Sequence, residues 1–431
     1  MIAEIVAVGT ELLMGQIVNT NAQFISSKLP DIGINVFFHT VVGDNDERLR
    51  TTFDMALERS DVVLITGGLG PTMDDITKET VAACFGKKLV LDEKTLKRIK
   101  ARFIQMGVHQ MTQNNEKQAY FPEGAAIVEN ENGTAPGCII NENGKIVIMM
   151  PGPPSEMHPM FEEKVMPFLT QYSDYYLKSK FIRTFGMGES KLEETLKDLI
   201  ETQTNPTLAT YAKDGEVLLR VTARYHKIRS NGFKPGNDVH DTEVEEQDIL
   251  TPVIEEINKR LGAAVYSDEN EELAAVALSA LSERGMTLAL AESCTGGMIS
   301  SRLTAIPGAS DVLLASAVTY GNQAKMEILG VRKETLEQFG AVSKETAMEM
   351  VCGARKIFHS DMAVSVTGIA GPGGGTAEKP VGLVYLALAD KRGIRTKCVR
   401  VVGNRARVRN AACLHAFDMI RRAVFDLPWI D

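Results

Sequence analysis

The sequence predicts an α/β protein in which a small α+β domain lies between two larger α/β domains. Residues 1–90 alternate apolar strand runs with helical segments, an order typical of a parallel sheet with helices on both faces. Residues 268–431 form a second unit of this kind, whereas the segment between them contains Asp214-Gly215, a hairpin signal between two β-rich runs. The predicted domains are therefore 1–172, 173–266 and 267–431.

In the first domain, each element follows from its local residue pattern. Apolar or β-branched runs predict strands, and polar segments with spaced apolar residues predict helices. The predicted strands are 2–9, 34–44, 61–70 and 145–150, and the predicted helices are Asn19–Leu29, Asp46–Arg59 and Asp74–Phe85.

The same patterns give the elements of the other two domains. The middle domain has predicted strands at 181–188, 207–213, 216–224 and 263–267, helices at Glu189–Ile200 and near 245–260, and a surface loop over 226–244. The last domain has predicted strands at 287–293, 362–371 and 382–390, and helices at 271–285, after Ser343 as far as Phe358, and at 404–425. Ser343 is the kind of residue that caps a helix N-terminus.

The composition is that of a globular protein. The 431 residues carry a formal charge of −9 with 44% hydrophobic content, which excludes a mainly disordered chain. The acidic balance argues against direct nucleic-acid binding, which needs a basic surface. The sequence has no apolar run near the roughly 20 residues of a membrane span and no basic leader. We therefore expect a cytoplasmic protein without a membrane partner.

A glycine-rich turn, TGGLGPTMDD (66–75), directly follows a predicted strand and precedes a helix. Glycines there let backbone N–H groups approach a phosphate, and a helix N-terminus favours an anion. The candidate binding residues of this turn are Thr66, Gly67, Gly68 and Gly70. Asp74 and Asp75 either cap the helix or hold a divalent cation.

Other glycine-rich turns follow neighbouring predicted strands. They span 9–21, 41–45, 130–137 and 151–156. Any one of them has an alternative explanation in ordinary turn chemistry. Because parallel strands end at one edge of a sheet, the five turns together favour a nucleotide or pterin site there.

A serine stands at the sharp turn of AESCTGG (291–297), again between a strand and a helix. A nucleophile would be exposed at such a turn, with backbone N–H groups nearby for an oxyanion, so Ser293 is a candidate nucleophile; the alternative is a helix-capping serine. Tyr320 and Lys325 are its candidate activating partners, because a desolvated lysine loses its proton and acts as a base. The alternative for Lys325 is a solvated helix residue.

Two further segments of the last domain are candidates for substrate contacts. The glycine-rich loop 365–375 begins at a strand end with Thr367, although it could also be a plain surface loop. The segment 391–409 is basic and contains no acid, and it either binds a phosphate or is a solvated face. Its basic residues are Lys391, Arg392, Arg395, Lys397, Arg400, Arg405, Arg407 and Arg409.

Together these motifs resemble the CinA family of competence/damage-inducible proteins over nearly the whole chain. The first part has GTELLxG, NTN, TGGLGPTxDD, NxxGTAPG and PGxPxEM, and the second has AESCTGG, TYxNxxK, VTGIAGPGGG and a GxRxxVR run. One departure is Pro153, which stands where the family pattern has valine.

For the first two domains, the resemblance implies a metal-dependent enzyme and a structural module. The N-terminal domain is similar to molybdopterin-binding domains and is expected to cleave ADP-ribose to AMP and ribose 5-phosphate. The resemblance gives Asp44 and Asp75 the acidic positions of its nucleotide and metal site. The middle domain is similar to a KH domain without the RNA-binding GxxG loop, and we interpret it as structural.

For the last domain, the resemblance implies a deamidase of nicotinamide mononucleotide (NMN) that needs no cofactor. Ser293 is then the nucleophile, and Tyr320 and Lys325 activate it. The residues expected near the substrate are Thr295, Gly296, Thr367, Gly368, Arg405, Arg407 and Arg409.

Two other functions stay open. The family name allows a competence-associated binding protein, and the N-terminal domain could handle molybdopterin. The resemblance also implies a homodimer.

Overall fold

The structure is a computed structural model that describes residues 1–107, 111–213, 215–226 and 247–429. The chain divides into two compact units. Of the described residues, the first holds 1–178, 224–226 and 247, and the second holds 179–223 and 248 onward. Asp214 of the predicted hairpin and nearly all of the predicted loop 226–244 lie outside the described residues.

The first unit alternates strands and helices as predicted over residues 1–90. Its elements are β1 (Ile2–Val8), α1 (Thr10–Leu13), α2 (Thr20–Lys28), β2 (Asn35–Val42), α3 (Asp46–Arg59), β3 (Val62–Thr66), α4 (Thr77–Cys84), β4 (Leu89–Leu91), α5 (Glu93–Gln105), β5 (Tyr120–Pro122), β6 (Ala126–Val128), β7 (Gly137–Glu142), β8 (Lys145–Met150), α6 (Pro154–Met160) and α7 (Met166–Thr170). A π-helical turn, Phe161–Val165, joins α6 to α7.

The main sheet of this unit has the order β2-β1-β3-β8-β7-β6. Strands β2, β1, β3 and β8 are parallel, as predicted, but β7 and β6 are antiparallel, so the sheet is mixed. The register pairs Val8 with Val42, Ala7 with Thr66 and Thr66 with Met150. The chain therefore leaves all four parallel strands at the same edge, where the glycine-rich turns follow.

The remaining elements include the predicted α+β segment and the last α/β sheet. They are β9 (Tyr175–Phe185), α8 (Glu189–Thr195), α9 (Lys197–Thr202), β10 (Thr207–Lys213), β11 (Glu216–His226), α10 (Thr251–Leu261), β12 (Val265–Ser267), α11 (Leu273–Glu283), β13 (Leu288–Glu292), α12 (Met298–Thr304), β14 (Leu313–Val318), α13 (Asn322–Leu329), α14 (Lys333–Phe339), α15 (Lys344–Phe358), β15 (Met362–Gly368), β16 (Leu383–Asp390), β17 (Gly393–Arg400) and α16 (Arg405–Phe425).

These strands form two sheets. The sheet β10-β11-β9-β12 contains the predicted antiparallel hairpin β10–β11. The sheet β14-β13-β15-β16-β17 has parallel β14, β13 and β15 and an antiparallel pair, β16 and β17. The predicted organisation of two α/β regions around an α+β segment is confirmed.

The caps of several helices explain why they begin where the sequence predicted. Asn19 accepts a hydrogen bond from the Ala22 N–H at the start of α2, and Ser343 accepts one from Thr346 at the start of α15. A side-chain acceptor at this position satisfies a backbone donor that the helix itself leaves unpaired.

Two details of the sequence prediction were wrong. The helix predicted from Asp74 begins only at Thr77, so neither Asp74 nor Asp75 is its cap. The helix predicted over Glu189–Ile200 is divided at Leu196 into α8 and α9. In the basic segment 391–409, the first part forms strand β17, and the last part opens α16 close to the predicted helix start.

Within the described ranges, no helix combines the length and the apolar character that crossing a bilayer requires.

Candidate active sites

A cavity of about 660 Å³ lies at the edge of the first sheet where the parallel strands end. Residues of all five glycine-rich turns line it, namely residues from 9–21, 41–45, 66–75, 130–137 and 151–156. The parallel register explains this convergence, because turns that are far apart in sequence leave neighbouring strands at the same level.

The predicted glycine-rich turn lies tightly against its neighbours. A Cβ atom at Gly67 would come within 2.1 Å of the Val8 carbonyl oxygen, and one at Gly68 within 2.1 Å of Thr77 Oγ1. Both glycines also have positive φ angles, of 104° and 67°. Thr66, at the end of β3, donates to the carbonyl oxygen of Pro151 at 3.0 Å. The predicted binding residues Thr66, Gly67, Gly68 and Gly70 all line the cavity.

The two predicted metal ligands both line this cavity and are both anchored by a threonine. Thr10 donates to Asp44 Oδ2 from its backbone N–H at 2.9 Å and from its hydroxyl at 2.8 Å. Thr72 contacts Asp75 Oδ2 in the same two ways, at 2.9 Å and 2.5 Å. These bonds use only Oδ2 of each carboxylate, so each aspartate retains a second oxygen as a potential ligand.

The charged residues that line the cavity are all acidic: Glu11, Asp44, Asp74, Asp75 and Glu156. They are spread over its wall, and the described part of the chain has no group of three or more such side chains arranged to hold a metal ion by themselves. A cation in this cavity would therefore need ligands from a bound substrate or from water.

The second candidate site lies where β14, β13 and β15 of the C-terminal sheet end. The register pairs Glu292 with Val318 on one side and with Val366 on the other. Ser293, Thr319 and Thr367, the residues that follow these three, therefore lie at the same sheet edge, although they are distant in sequence.

Ser293 and Lys325 are in direct contact, as the proposed pairing requires. Lys325 Nζ lies 3.2 Å from Ser293 Oγ and also donates to the carbonyl oxygens of Thr319 at 2.8 Å and Tyr320 at 3.3 Å. The lysine is only 1% exposed, and burial lowers the pKa of its amine below the ordinary value. The alternative interpretation of Lys325 as a solvated helix residue is therefore wrong.

Tyr320 takes part differently from the sequence-based expectation. Its hydroxyl accepts a hydrogen bond from Arg405 Nη2 at 2.8 Å, while only its backbone carbonyl contacts Lys325. Arg405 also donates from Nη1 to the carbonyl oxygen of Gly371, near the start of the loop after β15. The tyrosine side chain is 60% exposed, at the open side of the site.

Glu292, the residue before Ser293, is fully buried and holds the turn together. Its carboxylate accepts from the N–H groups of Ile299 (3.1 Å) and Ser300 (2.9 Å), and from the hydroxyls of Ser300 and Ser316. These contacts satisfy the first backbone donors of α12 and connect them to β14. Sequence reasoning missed this role, although the position directly before Ser293 could have indicated it.

Part of the backbone expected to hold an oxyanion is already hydrogen-bonded. The N–H groups of Ser293, Gly296 and Met298 donate to carbonyl oxygens, and those of Ile299 and Ser300 donate to Glu292. Among the described backbone bonds of this turn, none uses the N–H groups of Cys294, Thr295 and Gly297. These three are the oxyanion candidates that the turn retains.

Four further predicted substrate residues surround Ser293. Gly296 has a φ of 60° in the turn, and the buried hydroxyl of Thr295 has no partner among the described residues. Thr367 is fully buried and donates to the carbonyl oxygen of Ala341 at 2.7 Å. Gly368 is close to Cys294, because a Cβ atom there would lie 3.1 Å from Cys294 Sγ.

The three predicted arginines of α16 do not act together. Arg409 donates to the Thr295 carbonyl oxygen at 2.6 Å, so it and Arg405 both contact the Ser293 site. Arg407 instead lines a different cavity, of about 310 Å³, with Arg400 and His415. Helical periodicity explains the division, because residues four apart share a face and residues two apart do not.

Comparison with known proteins identifies related families for all three parts of the chain. The "Probable molybdopterin binding domain" profile matches residues 4–171, the "Damage-inducible protein CinA KH domain" profile residues 179–230, and the "CinA C-terminal domain" profile residues 270–424.

Relatives match over the full length. A competence-damage inducible protein of Acetivibrio thermocellus is 55% identical over 99% of this chain and 100% of its own length. A CinA-like protein of Kosmotoga olearia is 48% identical over the same shares. Among solved structures, the competence/damage inducible protein CihA of Agrobacterium tumefaciens is 44% identical over 36% of this chain and 93% of its own, with a TM-score of 0.35.

Proposed function

The chain belongs to the CinA family, and from that membership and the residues around Ser293 we propose that it hydrolyses two nucleotides at two sites. The C-terminal site converts NMN to nicotinic acid mononucleotide and ammonia. The N-terminal site cleaves ADP-ribose to AMP and ribose 5-phosphate with a divalent cation. The first reaction has the stronger support from geometry.

The observation that carries the deamidase proposal is the surroundings of Lys325 Nζ. A neutral amine has two N–H donors and one lone pair. Its neighbours are two carbonyl oxygens, which accept, and the Ser293 hydroxyl, which accepts from Nζ in the structure and can donate to the lone pair of the neutral amine. These surroundings suit a neutral lysine that takes a proton from the serine.

The proposed reaction has two halves, both of which use Lys325 as the proton carrier. Ser293 Oγ attacks the carboxamide carbon of NMN and gives its proton to Nζ. The C–N bond then breaks, and ammonia leaves with that proton. Water attacks the resulting ester and gives a proton to Nζ, which returns it to Ser293 Oγ as the ester C–O bond breaks. The sum is amide plus water to acid plus ammonia.

Arg405 and Arg409 are the groups proposed to hold the rest of the substrate. Arginine binds phosphate through two parallel N–H groups, and both side chains reach this site from one face of α16. Tyr320, bonded to Arg405 on the open side, would orient that arginine as well as the incoming carboxamide.

The test is ammonia release from NMN by the purified full chain and by Ser293→Ala. We expect the variant to lose at least about 1000-fold in rate, since the nucleophile is removed without filling or enlarging the site much. The control is Ser301→Ala, a substitution at an exposed serine of α12, the helix that follows the Ser293 turn, which should retain wild-type activity.

The two negative outcomes have different meanings. A wild-type chain that releases no ammonia would refute the deamidase proposal itself. Retained activity in Ser293→Ala would refute only the assignment of the nucleophile.

The N-terminal proposal is supported by the acidic wall of its cavity. A pyrophosphate would be repelled by five acidic side chains unless a cation accompanied it. Asp44 and Asp75 are the residues that would hold the cation, since magnesium sites combine one or two carboxylates with water and substrate phosphates. When bound, the cation would neutralise phosphate charge and polarise the P–O bond that is cleaved.

A further inference from the structure

Two buried side-chain oxygens in the N-terminal cavity have no hydrogen-bond partner among the described residues. They are Oδ1 of Asn21 and Oε1 of Gln118. The two residues are only 8% and 2% exposed, and both line the cavity. Buried acceptors of this kind are rare in folded proteins, and each indicates that something else supplies the donor.

The orientation of the Asn21 amide is determined by its neighbours. Its nitrogen donates to the Gly152 carbonyl oxygen at 2.7 Å and to Thr66 Oγ1 at 2.9 Å. The hydrogen of Thr66 is already directed to the Pro151 carbonyl oxygen at 3.0 Å, so Thr66 can only accept from Asn21. Both neighbours therefore require the amide nitrogen, and Oδ1 must be the atom left without a donor.

Gln118 is held in place through its backbone. Lys78, only 3% exposed, donates to the carbonyl oxygens of Gln118 at 2.9 Å and Lys117 at 3.3 Å. Burial lowers the pKa of Lys78 to about 8. Lys117 contacts the backbone carbonyl of Asp75 and the carboxylate of Glu79, so Gln118 is joined to the turn that contains a predicted metal ligand.

The charged side chains of the wall strengthen the inference, because they too are acceptors. The charged lining residues are all carboxylates. A divalent cation would compensate the charge of the ligand's phosphates, but it would leave the two amide oxygens without a hydrogen-bond donor. A ligand that satisfies the amide oxygens must carry neutral N–H or O–H donors in addition to its phosphates.

We infer that Asn21 and Gln118 are the residues that read the nucleoside part of the ligand, by accepting hydrogen bonds from its neutral donors. The exocyclic amino group of an adenine base is the donor we assign, and a ribose hydroxyl is the other source of the same chemistry. This inference rests on the proposed nucleotide hydrolysis at this site. It makes the cavity selective for an amino-substituted purine over an oxo-substituted one, because an oxo group would bring a second acceptor against a fixed acceptor.

The experiment compares the binding of AMP, IMP and 2′-deoxy-AMP to the full chain by calorimetry, with magnesium present. IMP exchanges the amino donor of AMP for an oxo acceptor, and 2′-deoxy-AMP lacks one ribose donor. We expect AMP to bind at least about tenfold more tightly than IMP. The preference should fall to about threefold or less in Asn21→Leu and in Gln118→Leu.

Asn141→Leu is the matched control, since it makes the same change at an exposed residue of β7 outside the cavity. It should keep the wild-type preference. If Asn21→Leu does not fold, the wild-type comparison and Gln118→Leu still decide the question. In the wild-type comparison the donor is removed from the ligand, so the protein is unchanged.

Each outcome decides for or against the inference. In a second outcome, only 2′-deoxy-AMP binds more weakly than AMP, and this difference disappears in Asn21→Leu and Gln118→Leu. That outcome supports the inference and identifies the ribose hydroxyl as the donor. Equal affinity for all three ligands, within about threefold, or no AMP binding at all, overturns the inference.

A separate assay of AMP release from ADP-ribose distinguishes this inference from the proposed activity. Selective binding without hydrolysis refutes only the proposed pyrophosphatase. Hydrolysis without selective binding refutes only the role of the two amides.

Discussion

At the scale of the residue, Lys325 shows how much chemistry depends on burial. A lysine in the first turns of a short helix would ordinarily remain charged in solvent. Here strand ends and the start of α13 enclose it, and its amine contacts only neutral oxygens in the hydrogen bonds that the described residues make. Desolvation penalises the charged form, so this environment lowers the pKa of the Lys325 amine below its ordinary value.

The pH dependence of deamidation should report this lysine. Because burial lowers its pKa below 10.5, the reactive neutral amine becomes populated as pH rises through that lowered value. We expect kcat/KM for NMN to rise with pH along a limb whose midpoint lies below 10.5. Initial rates of ammonia release across the pH range give this profile.

Two lysine-to-arginine variants control the pH measurement. Lys325→Arg keeps a cation but has no accessible neutral form, so activity should be lost at every pH. Lys356→Arg, at an exposed residue of α15, should reproduce the wild-type profile. A wild-type limb at the ordinary lysine pKa, or one that persists in Lys325→Arg, would contradict the assignment.

At the scale of the element, the period of α16 decides which arginines belong to the site. Arg405 and Arg409 face the Ser293 turn, and Arg407 faces another cavity. The sequence pattern alone treats the three as equivalent members of one basic segment. The helix separates them because its side chains repeat about every 3.6 residues.

Alanine substitutions along this helix should therefore have unequal effects. Arg405→Ala removes a charge-assisted contact, and we expect kcat/KM for NMN to fall by about 10- to 100-fold. Arg407→Ala should change it by less than about threefold, because the side chain faces away from the site. Steady-state kinetics on the two variants test this difference. Equal losses of kcat/KM would contradict the assignment of Arg405, but not Arg407, to the Ser293 site.

At the scale of the whole molecule, each proposed activity lies in its own compact unit. Asp44 and Asp75 belong to the first unit, and Ser293 and Lys325 belong to the second. Each unit has its own buried cores and its own parallel strand ends, so each site is assembled from local packing. The predicted homodimer is a separate question and stays a prediction.

The two activities should therefore be separable by single substitutions. Asp75→Ala should lower magnesium-dependent AMP release from ADP-ribose by about 100-fold or more, while ammonia release from NMN stays within about twofold. Ser293→Ala should do the reverse, and a chelator should stop only the first reaction. Both reactions are assayed on both variants, so each variant is the control for the other. Loss of both activities in either variant would contradict two independent sites.

Much of the first unit could be predicted because its signals are local. Asn45 accepts a hydrogen bond from the Arg48 N–H, and α3 begins and ends at the predicted residues. The helix after the glycine-rich turn was placed three residues early, because Asp75 turns back to accept from Thr72 instead of capping α4. Local sequence could not distinguish these two uses of one carboxylate.

By itself, the sequence determined the strand-ending turns, the candidate nucleophile and the family, since glycines, caps and apolar periodicity act between near neighbours in the chain. Only the tertiary structure decided that Lys325 contacts Ser293, that Arg407 leaves the site, and that Asn21 and Gln118 point unpartnered oxygens into one cavity. These facts depend on strand register and on burial. Both are set by packing between segments distant in sequence, and no local pattern encodes which side chains such packing leaves without a partner.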